Sequence, residues 1–230
     1  MPKRKRKKKN KQQLDFNTLS GASSSTVVVP PFTVQNVVST FNMGIKGLNL
    51  RKIALENKCI EFNPQTFAAA TLRIREPRTT ALAFASGNMV VTGSKSTSES
   101  RLAARKYARI FQNLGIPVMF KKFKIQNIVA SANVFFPIKL QDIAESYGPY
   151  VSFTPDLFPG LIFRSVKLVF LIFRSGKVVI TGARDVNDIK LTYESLYTNI
   201  LVRFRDTENS STSSSQYRND LRKKRDTSDL

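Results

Sequence analysis

Phe32-Thr33-Val34-Gln35-Asn36-Val37-Val38 returns as Phe123-Lys124-Ile125-Gln126-Asn127-Ile128-Val129, 91 positions later. Ser86-Gly87-Asn88-Met89-Val90-Val91-Thr92-Gly93 returns as Ser175-Gly176-Lys177-Val178-Val179-Ile180-Thr181-Gly182 at an offset of 89, and Phe67 and Phe158 also stand 91 apart. Two segments in the same order at a nearly constant offset define an internal duplication of about 90 residues. Each copy has the same succession of signals. In the first, Phe67 to Arg75 and Thr80 to Phe84 are strand-like and flank the turn Glu76-Pro77-Arg78. Asn88 to Thr92 is a further strand. Ser98 is placed to cap a helix with the apolar stripe Ala103, Tyr107, Ile110, Phe111 and Leu114, stopped by Gly115 and Pro117. A shorter helix is expected over Leu50 to Asn57. The second copy ends in a matching helix with Ile189, Tyr193, Leu196, Tyr197 and Ile200 on one face. Each half is therefore strand, short helix, several strands, long helix. That pattern predicts an α+β fold: two β-α-β(4)-α repeats related by a pseudo-two-fold axis, with a curved antiparallel sheet carrying its helices on the convex face.

Outside the duplication the chain changes character. Residues 1–29 carry eight Lys/Arg and one Asp, and residues 206–230 carry five basic and five acidic groups. The tract Lys3, Arg4, Lys5, Arg6, Lys7, Lys8 and Lys9 repels itself, predicting a disordered tail that serves nuclear import or clings to DNA. No apolar run follows it, so a secretory signal is not expected. The Ser-rich segment 206–230 is likewise expected to be disordered. Residues 30–120 and 121–205 are left as the two repeats.

Of the formal net charge of +21, the segment 30–205 keeps +14. A folded region this basic favours a polyanion. No apolar run approaches the roughly 20 residues of a membrane helix, so no membrane partner is expected. Histidine is absent, there is one cysteine, and acidic residues are scattered. These remove the commonest general base, any intramolecular disulfide and any evident metal cluster, so neither catalysis nor a cofactor is expected.

Strand alternation divides the side chains between two faces. One face takes Leu82, Phe84, Ser86, Asn88, Val90 and Thr92, and its counterpart takes Leu171, Phe173, Ser175, Lys177, Val179 and Thr181. Asn36 with Val38, and Asn127 with Val129, join them from the first strand of each repeat. The intervening Met89, Val91, Val178 and Ile180 are apolar and should face the helices. An ordinary solvated face would carry Lys, Glu and Gln, whereas this one is apolar and dotted with short hydrogen-bonding groups.

Longer strings make a family resemblance specific. Arg73-Ile74-Arg75-Glu76-Pro77-Arg78-Thr79-Thr80-Ala81-Leu82, Ser100-Arg101-Leu102-Ala103-Ala104-Arg105-Lys106-Tyr107-Ala108-Arg109 and Leu157-Phe158-Pro159-Gly160-Leu161-Ile162 resemble the TATA-box-binding protein family, over roughly Pro31 to Arg205. The resemblance implies a saddle that opens the minor groove of A·T-rich promoter DNA. It implies wedge roles for Phe67 with Phe84 and for Phe158 with Phe173. It gives base-edge hydrogen bonds to Asn36, Asn127, Thr92 and Thr181, and groove-floor contacts to Val38, Val90, Val129, Val179, Leu82 and Leu171. It gives phosphate contacts to Arg73, Arg78, Arg164 and Lys177, with Ser86 and Ser175 as weaker donors. Arg101, Arg105 and Arg109 on the long helix, and Asp156 and Leu157 in the loop before Phe158, are implied docking points. The implied partners are initiation factors of the IIA and IIB type, TBP-associated factors and the RNA polymerase machinery.

The sequence departs from the family pattern in three places. Phe158 and Phe173 are 15 apart against 17 for Phe67 and Phe84, with no Pro-Arg at the second bend. Gln65-Thr66 replaces a basic pair, and Asn88 stands where Lys is usual. These point to a divergent member of the family or, alternatively, to a related factor serving a particular polymerase or promoter set with altered sequence preference. An RNA-binding sheet protein would show a glycine-aromatic string on a central strand, which is not found. A nuclease or glycosylase would need a clustered acidic or nucleophilic site, also not found.

Overall fold

The computed structural model describes residues 28–207. The tails 1–27 and 208–230, with the Lys3–Lys9 tract and most of the Ser-rich segment, lie outside the described residues. The chain has an antiparallel α+β fold whose elements run β-α-β-β-β-β-α twice. It divides into two compact units, one of residues 32–131 with 181–188 and the other of 132–180 with 189–207 and 28–31.

The first unit holds β1 (Phe32–Asn42), α1 (Leu50–Glu56), β2 (Ile60–Glu61), β3 (Ala69–Ile74), β4 (Thr79–Phe84), β5 (Asn88–Ser94), α2 (Thr97–Asn113) and most of β6 (Lys121–Asn133). Its strand order is β2-β3-β4-β5-β1-β6. β3 pairs with β4 from Ala69↔Phe84 to Ile74↔Thr79, and β4 pairs with β5 through Leu82↔Val90. The inward set Ala81, Ala83, Met89 and Val91 is fully buried against Ala103, Ala104, Tyr107 and Phe111 of α2. The alanines bring helix and sheet together closely enough for two polar ties. Ser39 and Ser100 share a buried hydroxyl hydrogen bond of 2.7 Å, and the Tyr107 hydroxyl donates to the Thr79 carbonyl at 2.7 Å. Burial pushes the Tyr107 phenol up, keeping it a neutral donor.

Local chemistry corrects two sequence expectations here. The α2 cap is Ser96 rather than Ser98: Ser96 Oγ accepts from Glu99 N at 3.1 Å, and Glu99 Oε2 accepts from Lys95 N at 3.0 Å. With three hydroxyl residues in succession, the one three positions before Glu99 wins, because the Glu99 side chain also reaches back to tie down the N–H just before that cap. β3 begins at Ala69 rather than Phe67 because Asn63 folds the preceding residues into a turn, accepting from Gln65 N and Phe67 N. At its other end α2 stops as expected. Gly115, at φ +76°, donates to Gln112 O while Ile116 N donates to Phe111 O, a left-handed cap that satisfies the last carbonyls.

The second unit holds α3 (Leu140–Ser146), a 3₁₀ turn (Gly148–Tyr150), β7 (Val151–Thr154), β8 (Phe158–Arg164), β9 (Val169–Phe173), β10 (Lys177–Ala183) and α4 (Val186–Leu196), the last two entered partway through. Its strand order is β10-β9-β8-β7. Leu161, Phe163, Phe170, Ile172, Val178 and Ile180 are buried with Ile189, Tyr193, Leu196 and Ile200. The terminal helix is not uniform: Tyr197–Leu201 is a π turn, closed by Val202 N to Tyr197 O.

The two long hairpins differ in one respect. β3 and β4 share six ladder pairs around the four residues 75–78, whereas β8 and β9 share five, Gly160↔Phe173 to Arg164↔Val169, around the four residues 165–168. The shortening seen in the sequence thus removes one whole rung. The ladder keeps its register, and every remaining side chain keeps its face. Among the described residues, no helix is long and apolar enough to cross a membrane.

Candidate nucleic-acid interface

The alternation expected from sequence is present in each unit. Leu82, Phe84, Val90 and Thr92 are half-buried and Ser86 and Asn88 exposed, while Ala81, Ala83, Met89 and Val91 between them are buried. Leu171, Phe173, Val179 and Thr181 repeat this, with Ser175 and Lys177 exposed. Asn36, Val38, Asn127 and Val129 are half-buried on the same alternation, out of phase with buried Val37 and Ile128. The open face is therefore largely apolar, and among the described residues no helix covers it.

Two turns of irregular strand fix the polar groups of that face. β1 and β5 pair as Val37↔Ser94 and then Ser39↔Val91, so one extra residue of β5 bulges near Gly93, which has φ +104°. A bulge leaves an N–H without a ladder partner. Asn36 supplies it: Oδ1 accepts from Gly93 N at 2.8 Å and from Thr92 Oγ1 at 3.2 Å. Since a backbone N–H can only donate, the side-chain atom facing it is the amide oxygen, and the NH₂ remains as the donor. Asn127 repeats the device on Gly182, at φ +98°, with Oδ1 to Gly182 N at 2.8 Å and Nδ2 to Thr181 Oγ1 at 3.2 Å. Gln35 Nε2 donates to Ser131 Oγ and Gln126 Nε2 to Thr40 Oγ1, each at 2.7 Å, and the 91-residue shift exchanges these two bonds. The Thr-Gly ending of each repeated string, Thr92-Gly93 and Thr181-Gly182, is the signal for this device. Sequence reasoning used the threonines and passed over the glycines.

Four phenylalanines stand as two pairs. Phe67 and Phe84 have ring centroids 6.4 Å apart at 66°, and Phe158 and Phe173 5.8 Å apart at 67°. Phe67 is 49% and Phe158 37% exposed. Edge-to-face pairs of this kind hold each other rigid while leaving apolar surface in water.

The charged residues divide. Arg78 and Lys177 are exposed, and Arg164 is half-buried. Arg73 Nη1 lies 2.8 Å from both carboxylate oxygens of Glu61, both residues being mostly exposed. Arg73, Arg75, Arg78, Thr80, Thr92 and Gly93 line a cleft of about 730 Å³. Arg75 and Thr80 were not singled out from sequence. Ser86 Oγ accepts from Asn88 Nδ2 at 3.2 Å, and Asn88 Oδ1 accepts from Asn42 Nδ2 at 2.7 Å. Asn88 thus sits in a neutral chain of hydrogen bonds. On α2, Arg101, Arg105 and Arg109 are exposed, but Arg101 rests 4.9 Å from the Phe123 ring centroid and Arg109 bonds Gln112 Oε1. Asp156 is exposed and Leu157 is 86% exposed, in the turn closed by Leu157 N to Thr154 O.

Apolar sheet face, amide donors and flanking guanidinium groups suit a polyanion whose base edges offer acceptors. Such a surface suits the class of nucleic-acid binders that work with a sheet rather than an inserted helix. The model of the family described as "Transcription factor TFIID (or TATA-binding protein, TBP)" matches residues 31–114 and 122–202. The chain belongs to the TATA-box-binding protein family. It is 58% identical over 166 residues to TATA box-binding protein-like 2 of Rattus norvegicus, covering 71% of this chain and 48% of that protein. It is 53% identical to TATA-box-binding protein 1 of Triticum aestivum (77% of this chain, 76% of that protein) and 51% identical to the TATA-box-binding protein of Saccharomyces cerevisiae (80% and 75%). The chain thus spans about half of the rat relative and three quarters of the other two. Among solved structures, Methanococcus jannaschii TBP superposes with a TM-score of 0.67 at 33% identity, covering 74% of this chain and 98% of that one. Members of this family are transcription factors rather than enzymes.

Proposed function

We propose that this chain is a general transcription initiation factor that binds and sharply bends TATA-type promoter DNA through the minor groove, and nucleates preinitiation complex assembly in the nucleus. The observation that carries the reading is the presence in each unit of an edge-to-face Phe pair, partly exposed on an apolar sheet face. Such rings cost solvation unless a partner covers them, and base steps are the planar apolar surfaces a basic protein meets. Asn36 and Asn127 then donate through their amides to the acceptors of A·T pairs, Thr92 and Thr181 do so once their hydroxyls turn away from the asparagines, and Val38, Val90, Val129, Val179, Leu82 and Leu171 cover the groove floor. Arg73, Arg78, Arg164 and Lys177, aided by Ser86 and Ser175, hold the phosphates. Arg73 must leave Glu61 to do so, an exchange that costs little at an exposed pair.

This family is itself the type case from which a kink of about 80° and unstacking costs of a few kcal/mol per step are taken. Arg101, Arg105 and Arg109 form one docking surface for factors of the IIA type and for TBP-associated factors. Exposed Leu157 with Asp156 forms another, for a factor of the IIB type that brings in the polymerase machinery. A Phe158→Ala, Phe173→Ala chain should bend a TATA duplex less and leave it sooner, as read by circular-permutation mobility and dissociation kinetics. Unchanged bend and lifetime would remove these rings from the mechanism.

A second reading, a related factor with altered sequence preference serving a particular polymerase or promoter set, draws on Asn88. Where the family pattern has a cation, this chain has a neutral side chain already bonded to Asn42 and Ser86. Selection from random duplexes separates the two: recovery of TATA sequences favours the first, a distinct consensus the second.

A further inference from the structure

The two aromatic pairs rest on different floors. Across the β3/β4 ladder Phe84 faces Ala69, and across β8/β9 Phe173 faces Gly160. Ala69 shares the open face with its ladder partner Phe84, and Gly160 shares it with Phe173 and, by alternation along β8, with Phe158. Yet Ala69 is 3% exposed and Gly160 is buried, and among the described residues no helix covers that face. At Gly160 the rings themselves are the cover. A Cβ built on Gly160 would stand 2.7 Å from Phe158 Cε1 and 3.0 Å from Phe173 Cε1. The backbone gives no reason for glycine here, because Gly160 is not among the residues with positive φ. What requires it is the space that the two rings occupy. Where the floor carries a methyl group, at Ala69, the centroids are 6.4 Å apart and the outer ring is 49% exposed. Where it carries none, they are 5.8 Å apart and the outer ring is 37% exposed.

We infer that Gly160 is a positioning residue that lets Phe158 and Phe173 close into a narrower wedge than Phe67 and Phe84, and that this one-methyl difference makes the two ends of a bound duplex inequivalent, orienting the protein on it. The inference rests on the DNA-bending reading above. A wedge enters a base step only as far as its thickness allows, so two wedges of different width prefer different steps. Pyrimidine–purine steps open most easily. An asymmetric site then has a preferred direction even with all other contacts symmetric.

The test uses the full chain and an asymmetric TATA duplex with 2-aminopurine at one outer step or the other, its fluorescence reporting unstacking at that end. Orientation is read by DNA cleavage from a reagent on Cys59, the single cysteine, which is exposed. Gly160→Ala should make the two ends alike, so that the two 2-aminopurine signals converge and the cleavage pattern becomes one of mixed orientation. The swap Ala69→Gly with Gly160→Ala should reverse the dominant cleavage pattern. Wild-type signals at both ends in Gly160→Ala, or loss at both ends with a native melt, overturns the inference alone. If Gly160→Ala fails to fold, Ala69→Gly decides: mixed orientation supports the assignment and wild-type orientation overturns it. No fluorescence rise at either end with the wild type overturns the bending reading and this inference together.

Discussion

At the scale of single residues, the asparagines of β1 and β6 have two tasks that substitution can separate. Asn36→Asp keeps the acceptor for Gly93 N but gives up the amide donor and adds a negative charge, so the fold should melt near wild type while TATA binding falls. Asn36→Ala leaves the bulge N–H unpaired and should cost about 1 kcal/mol of stability, measured by denaturant unfolding. The placement of Asn36 and Asn127 on the open face was legible from sequence, because amides on an otherwise apolar alternation are conspicuous. Their tie to Gly93 and Gly182 was not, because a bulge shows in the sequence only as a glycine. The Glu61–Arg73 pair was equally hidden, since Glu61 lies on a two-residue strand too short for any periodic signal.

Among the elements, α2 offers a paired test of its start. Ser96→Ala should lose about 1 kcal/mol with the cap, and Ser98→Ala, one turn position inside, should lose much less; comparison of their melting temperatures checks this. The existence of both long helices and of the strand sets followed from hydrophobic periodicity. Their boundaries did not, since those turned on single hydrogen bonds at Ser96, Asn63 and Tyr197. The β8/β9 hairpin carries Arg164, half-buried at its ladder's end. Arg164→Ala should lower the slope of log K against log salt by about one for duplex binding. A Lys at this position should restore the slope more fully than the tightness of binding, since it keeps the charge and loses the fork.

For the whole molecule, charge is the governing quantity. The segment 30–205 keeps a net charge of +14, so affinity for any duplex should fall steeply with salt, whereas preference for TATA over random duplex should change far less. Removing residues 1–29 subtracts a further +7 of charge. It should flatten the salt dependence for random duplex and abolish nuclear accumulation of a fused reporter, read by filter binding and by microscopy. The duplication made the architecture readable without any coordinates. Asymmetry between the copies was harder to see, because it resides in single methyl groups and single hydrogen bonds rather than in patterns.

The missing rung of the β8/β9 hairpin implies a parity rule for how such chains can change length. Losing one residue from each arm leaves inside and outside where they were. Losing one from a single arm would turn the remainder of that arm over, exposing Phe163 or Phe170 to water and driving Arg164 or Leu171 toward the core. Viable insertions and deletions between Phe158 and Phe173 should therefore come in twos, and a library of single-codon deletions across this stretch should yield folded protein only where the turn 165–168 absorbs the change.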